Sequence, residues 1–360
     1  MKQKLILING RFMSQPVTGV QRYAREVIAA LSESGETQFK FVIAMPESNS
    51  FEPIPDIEVF RDKSFLPTAI WQQVRLPALV KKLRAGLLWS PCNIGPLFSE
   101  NHVITMHDAA TFAGPEWFSI SFRMYYRLIF PLMGRGARRV ITPSLFSKEA
   151  IVRYGIAEAD KVRVIPGGVS PKFIHTNLRI FDFPYILTLG SRDPRKNTAR
   201  LIESWSRLPA NVKKNRRLVI VGREIHSFSD EGCGKIPDDA RFAGYIDDND
   251  LPALYSGADA FVFPSLYEGF GLPPLEAMAC GCPVIVSKTA SLPEVCGDAA
   301  YYIDPYSIES ITEGMRKVLT DDTLSQCLHR KGLERAKLFS WGKSAEEHIR
   351  VFKELTAITA

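Results

Sequence analysis

The sequence predicts an α/β protein built from two doubly wound, mostly parallel sheets in tandem. Three observations predict it. Short apolar runs alternate with segments of helical period along the whole chain. One stretch rich in turn residues, Pro166 to Pro184, interrupts the alternation. The length, 360 residues, leaves room for two cores at roughly 150 residues per domain.

The first run, Leu5-Ile6-Leu7-Ile8, has the length of a buried strand, and Val20, Tyr23, Ala24, Val27, Ile28 and Leu31 then recur at helical spacing. Phe41-Val42-Ile43, Val103-Ile104-Thr105-Met106, Val140-Ile141-Thr142 and Val162-Arg163-Val164-Ile165 continue the series, with Ser144 placed to cap a helix. Apolar strands alternating with helices imply a parallel sheet covered on both faces. After the interruption a second series begins with Tyr185-Ile186-Leu187-Thr188-Leu189. It continues through Leu218–Val221, Phe261–Phe263 and Val284–Val286. Two Rossmann-like domains are therefore expected, 1–170 and 171–339. The last helix, from about Trp341 within 340–360, is expected to fold back on the first domain.

Hydrophobic residues make up 46% and charged residues 23%, which excludes a disordered chain. The net charge of +6 is uneven: 21 Lys and Arg face 14 Asp and Glu up to Ser170, and 24 face 25 beyond it. Nucleic acid, anionic lipid, a phosphorylated substrate or a plain solvated surface would each suit the basic half. The six cysteines, at 92, 233, 280, 282, 296 and 327, form no CxxC pair and no Cys/His metal spacing. Buried thiols in a reducing cytosol are expected, with no metal. The four-residue apolar run at the start is too short for a signal-peptide core, and no run approaches the ~18 residues of a membrane span.

The strongest motif is Glu268-Gly269-Phe270-Gly271-Leu272-Pro273-Pro274-Leu275-Glu276, between the strand Phe261–Phe263 and a helix ending near Gly281. The glycines let backbone approach a ligand, Pro273 suits a first helical turn, and the free amides near Gly271 and Leu272 would suit an anion. Glu276, expected in the first helical turn, can accept two hydrogen bonds from a vicinal diol such as a ribose. Either glutamate alone could be a surface or helix-terminal acid. A second motif, Gly190-Ser191-Arg192-Asp193-Pro194-Arg195-Lys196-Asn197, follows the strand Tyr185–Leu189 and puts cations where a diphosphate would sit. Its bland alternative is a solvated basic turn with Asn197 as a cap. His107-Asp108 ends a strand; Asp108 could orient the imidazole, bind a sugar hydroxyl or serve as a cap. Gly19, opening the first helix, resembles an anion-accommodating turn but lacks the GxGxxG pattern. Asp247-Asp248-Asn249-Asp250 is expected to cap the helix Leu251–Ser256 rather than bind metal.

Together these residues resemble the retaining glycosyltransferases of family 4, which have the GT-B fold: two Rossmann-like domains facing across a cleft. The two glutamates with seven residues between them, the run Pro194 to Asn197, Phe242-Ala243-Gly244-Tyr245-Ile246, Leu251, Leu254-Tyr255 and Ala258-Asp259-Ala260 carry the resemblance. So do Gly19-Val20-Gln21-Arg22-Tyr23, His107-Asp108 and Pro166-Gly167-Gly168-Val169. It covers nearly the whole chain. The resemblance implies a donor site made of Arg192, Arg195, Lys196, Tyr245, Ile246, Glu268, Gly269, Phe270, Gly271, Leu272 and Glu276. In it Glu276 would hold the ribose, Glu268 with the amides of Phe270 and Gly271 the transferred sugar, and Arg195 and Lys196 the diphosphate. His107, Arg195, Lys196 and Glu268 are the implied catalytic residues; Gly19, His107 and Asp108 lie on the implied acceptor side. Relatives commonly have Gly-Arg directly after the strand, so Arg192 and Arg195 both remain candidates for the phosphates. The nucleotide-sugar is a substrate, no cofactor or metal is implied, and no nucleic acid.

The Pro-Arg-Lys-Asn version looks most like bacterial mannosyltransferases of polysaccharide assembly, which implies GDP-mannose and a glycan or polyprenyl-diphosphate-linked acceptor. A UDP- or dTDP-sugar transferase, an epimerase, a phosphorylase and a silent nucleotide-sugar-binding subunit are the alternatives. A cytoplasmic enzyme, peripheral on the anionic face of the inner membrane, is expected from two stretches. Trp71 to Trp89 mixes Leu76, Leu79, Val80, Leu83 and Leu87 with Arg75, Lys81, Lys82 and Arg84. Phe118 to Arg139 mixes Phe122, Tyr125, Tyr126 and Phe130 with five arginines. Ordinary amphipathic helices would give the same pattern.

Overall fold

The computed structural model describes residues 3–15, 17–47, 53–64, 66–190, 193–222 and 237–357. The chain divides into two compact units, Met1–Gly168 with Ser340–Ala360, and Val169–Phe339.

The first unit runs β1 (Lys4–Asn9), α1 (Gly19–Glu33), β2 (Phe39–Pro46), β3 (Glu58–Asp62), α2 (Thr68–Lys82), β4 (Leu87–Ser90) and β5 (His102–Thr105). It continues with α3 (Ala110–Ala113), α4 (Ile120–Gly136), β6 (Arg139–Thr142), α5 (Leu145–Arg153) and β7 (Val162–Val164). Its strands are parallel, in the order β3-β2-β1-β4-β5-β6-β7. Ser144 caps α5 as expected, its hydroxyl accepting the Ser147 N–H at 3.0 Å.

The second unit runs β8 (Tyr185–Leu189), α6 (Thr198–Ser206), α7 (Ala210–Lys213), β9 (Arg217–Val221), β10 (Ala240–Gly244), α8 (Leu251–Ser256) and β11 (Ala260–Phe263). Then come α9 (Leu272–Ala279), β12 (Val284–Ser287), α10 (Leu292–Cys296), β13 (Ala300–Ile303), α11 (Ile308–Thr320) and α12 (Asp322–Ala336). This sheet is also parallel, in the order β10-β9-β8-β11-β12-β13. Successive strand residues feed opposite cores. Leu187, Val219, Phe261 and Val286 pack with α8 and α9, whereas Ile186, Leu218, Val262 and Ile285 pack with α6 and α11. That two-sided burial is why these strands read as continuous apolar runs.

Finally α13 (Trp341–Ala357) packs on the first unit. Trp341 stands edge-on to Tyr23 of α1 at 5.5 Å, and His348 and Phe352 lie 5.1 and 5.7 Å from Trp89 of β4.

The stretch Trp71 to Trp89 is not one amphipathic segment. It is α2, a turn with Arg84 at φ +51°, and the wholly buried β4. Trp71, Leu76, Leu79, Leu87 and Trp89 are core, and Arg75 is bonded to the Asp62 carboxylate at 2.9 and 3.1 Å. Its apolar content therefore serves the sheet. The Asp247–Asp250 run also differs in detail: α8 starts at Leu251, but Asp250 forms no side-chain cap. Instead Asp247 accepts the Asn249 N–H at 2.9 Å and closes the preceding turn.

Candidate active site

In the second unit the strand order reverses between β8 and β11, so the loops following these two neighbours open side by side at the carboxyl end of the sheet. That is where open α/β sheets bind ligands. The two strongest sequence motifs are these two loops.

The loop after β8 makes one 3-10 turn, Pro194–Lys196, and Asn197 follows at φ +59° in the left-handed region. Asn197 occupies the N-cap position of α6 but makes no side-chain cap bond, so the bland alternative of a capping Asn197 gives way to a different role. Its Nδ2 donates to the carbonyls of Pro264 (3.0 Å) and Pro305 (2.7 Å), and Arg200 donates to its Oδ1 at 2.6 Å. The Leu266 N–H donates to the Arg195 carbonyl at 2.7 Å. These bonds lace the two loops together. As a result Lys196 Nζ donates to Glu268 Oε1 at 2.7 Å and lies 4.8 Å from the Phe263 ring centroid. Both side chains are largely enclosed, at 23% and 14% exposure.

Arg195 behaves differently from Lys196. Its Nε and Nη2 donate to the Asp193 carboxylate at 2.5 to 3.0 Å. Burial works to raise the Asp193 pKa, but the hydrogen bonds and charge of Arg195, with the Lys196 charge beside them, hold it below the usual carboxylate value. Of the two cations in the turn, Lys196 is therefore the one delivered to the glutamate loop. Asp193 stands in the second motif without a signature of its own; an Asp two residues before an Arg, across a Pro, is the sequence signal of this clamp. Arg192 lies outside the described residues.

The glutamate loop is pinned from behind. The Ser291 hydroxyl lies 2.9 Å from the Glu268 carbonyl and 2.7 Å from that of Phe270, sharing its proton between them. Nothing in the sequence near Ser291 points to this. Gly271 has φ +110°, and a Cβ there would stand 2.8 Å from Leu292, so only glycine fits the turn that starts α9. Pro273 sits in that first turn, and Gly281 follows the helix at φ +75° as expected. Glu276 is not in the first turn. It is the fifth residue of α9, buried at 3% exposure, with the Tyr255 hydroxyl donating to its Oε2 at 3.3 Å. A buried carboxylate of this kind costs free energy unless hydrogen-bonded. Phe270 is buried and edge-on to Phe339 at 5.8 Å. Tyr245 and Ile246 follow β10, two strands from the switch point; Tyr245 is exposed and Ile246 packs partly on the core.

The remaining sequence candidates lie in the first unit. Gly19 opens α1, with the Gln21 carboxamide oxygen accepting the Thr18 N–H at 3.2 Å just before it. His107 is buried, 4.8 Å from the Tyr23 ring. Its Nε2 donates to the Pro91 carbonyl at 3.0 Å, which fixes the tautomer, and its own N–H donates to Asn93 Oδ1 at 2.8 Å. Burial drives its pKa below the usual value, partly offset by Pro91 and the Asp108 charge, so the imidazole is neutral at pH 7. Asp108 Oδ1 accepts the Ala110 N–H at 2.9 Å, closing the turn before α3, whose N-cap position is Ala109. Among the described residues no three His, Cys, Asp or Glu side chains gather as metal ligands.

A family model described as Glycosyltransferase Family 4 matches residues 17–173, and one described as Glycosyl transferases group 1 matches residues 172–335. O-antigen chain mannosyltransferase B of Escherichia coli is 30% identical over 374 residues, covering 94% of this chain and 97% of that one. O-antigen chain mannosyltransferase RfbU of Salmonella typhimurium is 26% identical over 332 residues, covering 87% and 90%. Among solved structures, sucrose-phosphate synthase from Thermosynechococcus elongatus matches 99% of this chain and 100% of that one at a TM-score of 0.78 and 21% identity. The paired parallel sheets are thus those of the GT-B fold.

Proposed function

The chain belongs to the family 4 glycosyltransferases, and on that premise we propose that it transfers mannose from GDP-mannose to a glycan, free or carried on a polyprenyl diphosphate, in polysaccharide assembly. The observation that carries this reading is the near full-length likeness to O-antigen chain mannosyltransferase B.

The loop geometry supports a division of labour. Glu276 takes the ribose diol, and Glu268 with the amides of Phe270 and Gly271 takes the sugar. Lys196, already directed into the glutamate loop, balances the charge that grows on the departing diphosphate. Arg195 adds to this field while clamped by Asp193. Tyr245 and Ile246, at the carboxyl end of the same sheet, flank the nucleoside. The acceptor oxygen attacks the anomeric carbon on the face the leaving group departs from. The bond to the diphosphate oxygen breaks, and the acceptor proton passes to that oxygen. Configuration is retained, and no metal ion is required.

The test is a thermal-shift screen against GDP-, UDP- and dTDP-sugars, followed by transfer assays. A ligand that binds the native state stabilises it by mass action. Stabilisation by GDP-mannose alone supports the reading; stabilisation by a UDP-sugar alone overturns the donor.

The proposal includes docking on an anionic membrane, supported by α4. Ile120, Met124, Leu128 and Leu132 recur every fourth residue, and each is half exposed or more. Arg123, Arg127 and Arg135 accompany them, with no acidic residue in the helix. Phe122 and Tyr125 are also exposed, whereas Phe130 is core. No described helix is long and apolar enough to cross a membrane. Flotation with phosphatidylglycerol vesicles should fall with salt and with Leu128→Glu, at about 1 kcal/mol per well-placed cation. Equal flotation of Leu128→Glu and wild type overturns this docking face.

A further inference from the structure

The turn that follows β12 backs the glutamate loop with one diverted side chain. Ser291 is fully buried and stands at the N-cap of α10. A serine at that position ordinarily accepts an N–H of its own helix. Ser291 makes no such cap bond. Its hydroxyl lies 2.7 Å from the Phe270 carbonyl and 2.9 Å from the Glu268 carbonyl, and a carbonyl oxygen only accepts, so the hydroxyl is the donor to both. We propose that Ser291 is a positioning residue for the donor sugar. By holding these two carbonyls back, it turns the Gly269 and Gly271 N–H groups forward to meet the sugar that Glu268 takes. The inference rests on the reading of the chain as a nucleotide-sugar transferase and adds a residue to that site.

The step from carbonyls to amides is covalent geometry. The Glu268 carbonyl and the Gly269 N–H belong to one planar peptide, and the Phe270 carbonyl and the Gly271 N–H to another. Among the described residues every peptide bond is trans, so in each unit the N–H points away from the C=O. Two carbonyls drawn to one hydroxyl therefore send two N–H groups to the opposite side of the loop. Among the described residues no protein acceptor meets the Gly271 N–H.

The rest of the turn serves the same placement. Ala290 stands at φ +56°, an unusual backbone for a residue with a side chain, and such outliers persist where their surroundings hold them and gather at functional sites. Thr289 Oγ1 donates to the Ser265 carbonyl at 3.4 Å. Leu292 lies against Gly271, where a Cβ would stand 2.8 Å from its Cδ2. The helix α10 thus begins with a strained residue and a serine withheld from capping, and that serine is spent on the loop that carries Glu268.

The experiment compares wild type with Ser291→Ala and with Thr289→Val, which loosens the same turn without touching the Glu268 or Phe270 carbonyls. Calorimetry gives the Kd for GDP-mannose and, as the sugar-free control, for GDP. In Ser291→Ala the ratio of the first to the second should rise about 10-fold, the equivalent of one lost hydrogen bond to the sugar, and in Thr289→Val it should stay within about 2-fold of wild type. An unchanged ratio in Ser291→Ala makes Ser291 a purely structural residue and overturns the inference, whatever its melting temperature. An equal rise in both variants overturns it too, because packing of the turn would then explain the loss. If Ser291→Ala does not fold, wild type decides alone. In NMR spectra of protein labelled with isotopic nitrogen at glycine, the Gly269 and Gly271 amide signals should move on adding GDP-mannose and much less on adding GDP. Equal movement with both ligands, or none with either, overturns the inference. Failure of the functional reading shows separately, as wild type that does not bind GDP-mannose at all, and the inference falls with it.

Discussion

Removing Lys196 should do two separable things. At 2.7 Å and an effective dielectric of ~20, its attraction to Glu268 is about 6 kcal/mol before desolvation is subtracted. Breaking a fully buried pair costs about 3–5 kcal/mol and an exposed one about 0–1. With the two side chains at 23% and 14% exposure, Lys196→Ala should cost about 2 kcal/mol, because Glu268 is left charged in a mostly enclosed loop. For a unit of this size that is a fall in melting temperature of about 4–8 °C. Lys196→Ala/Glu268→Gln should recover most of that stability, since no charge is then stranded. It should not recover turnover. If Lys196 answers the charge on the leaving diphosphate, kcat should fall about 100-fold or more while donor affinity falls far less. Thermal denaturation, calorimetry and initial rates on the four proteins of this cycle give each quantity. A melting temperature for Lys196→Ala equal to wild type would refute the stranded-charge argument. Equal losses in kcat and donor affinity would refute the transition-state role and leave Lys196 a binding residue.

Other outcomes follow from the same structure. Glu276→Ala should weaken GDP-mannose binding about 10- to 100-fold while the protein stays folded, as hydrogen bonds to a charged group contribute about 1.5–3 kcal/mol; unchanged affinity by calorimetry removes the ribose role. Activity should survive excess EDTA; its loss on chelation, restored by Mg²⁺, would contradict metal-free transfer. Burial drives His102 down to about 3, His348 to about 4, and His107 below its usual value, all in the first unit. The unfolded chain takes up those protons near pH 6.5, so stability is full above 6.5 and is lost as pH falls toward 4. His348→Met should flatten that dependence at a cost of about 1 kcal/mol at pH 7, where the buried Nδ1–H bond to the Ser344 carbonyl (2.7 Å) is lost; a curve parallel to wild type would show that His348 does not contribute.

Local pattern alone determined the fold class. The apolar strands β1, β2, β5, β6, β8, β9, β11 and β12 are buried on both faces, and burial on both faces is what makes a continuous apolar run visible in a sequence; β7, an edge strand with Arg163 exposed, is legible only from the apolar residues on either side of that arginine. The edge strands β3, β10 and β13 were not read, because half-exposed residues such as Glu58-Val59-Phe60-Arg61 carry no such run. β4 was hidden for a different reason: Leu87-Leu88-Trp89 follows a basic helix closely enough to look like its continuation. The glutamate loop was legible because its chemistry is contiguous, from Glu268 to Glu276. What makes it a site was not, because Lys196 and Glu268 are 72 residues apart and meet only through the β8–β11 pairing and the Asn197 lacing. Tertiary structure alone also separated Lys196 from Arg195 and moved Glu276 past the first turn into the interior. Periodicity reports what a residue's neighbours in the chain require. Strand order, which decides which loops become neighbours in space, is set by long-range packing that no local window contains.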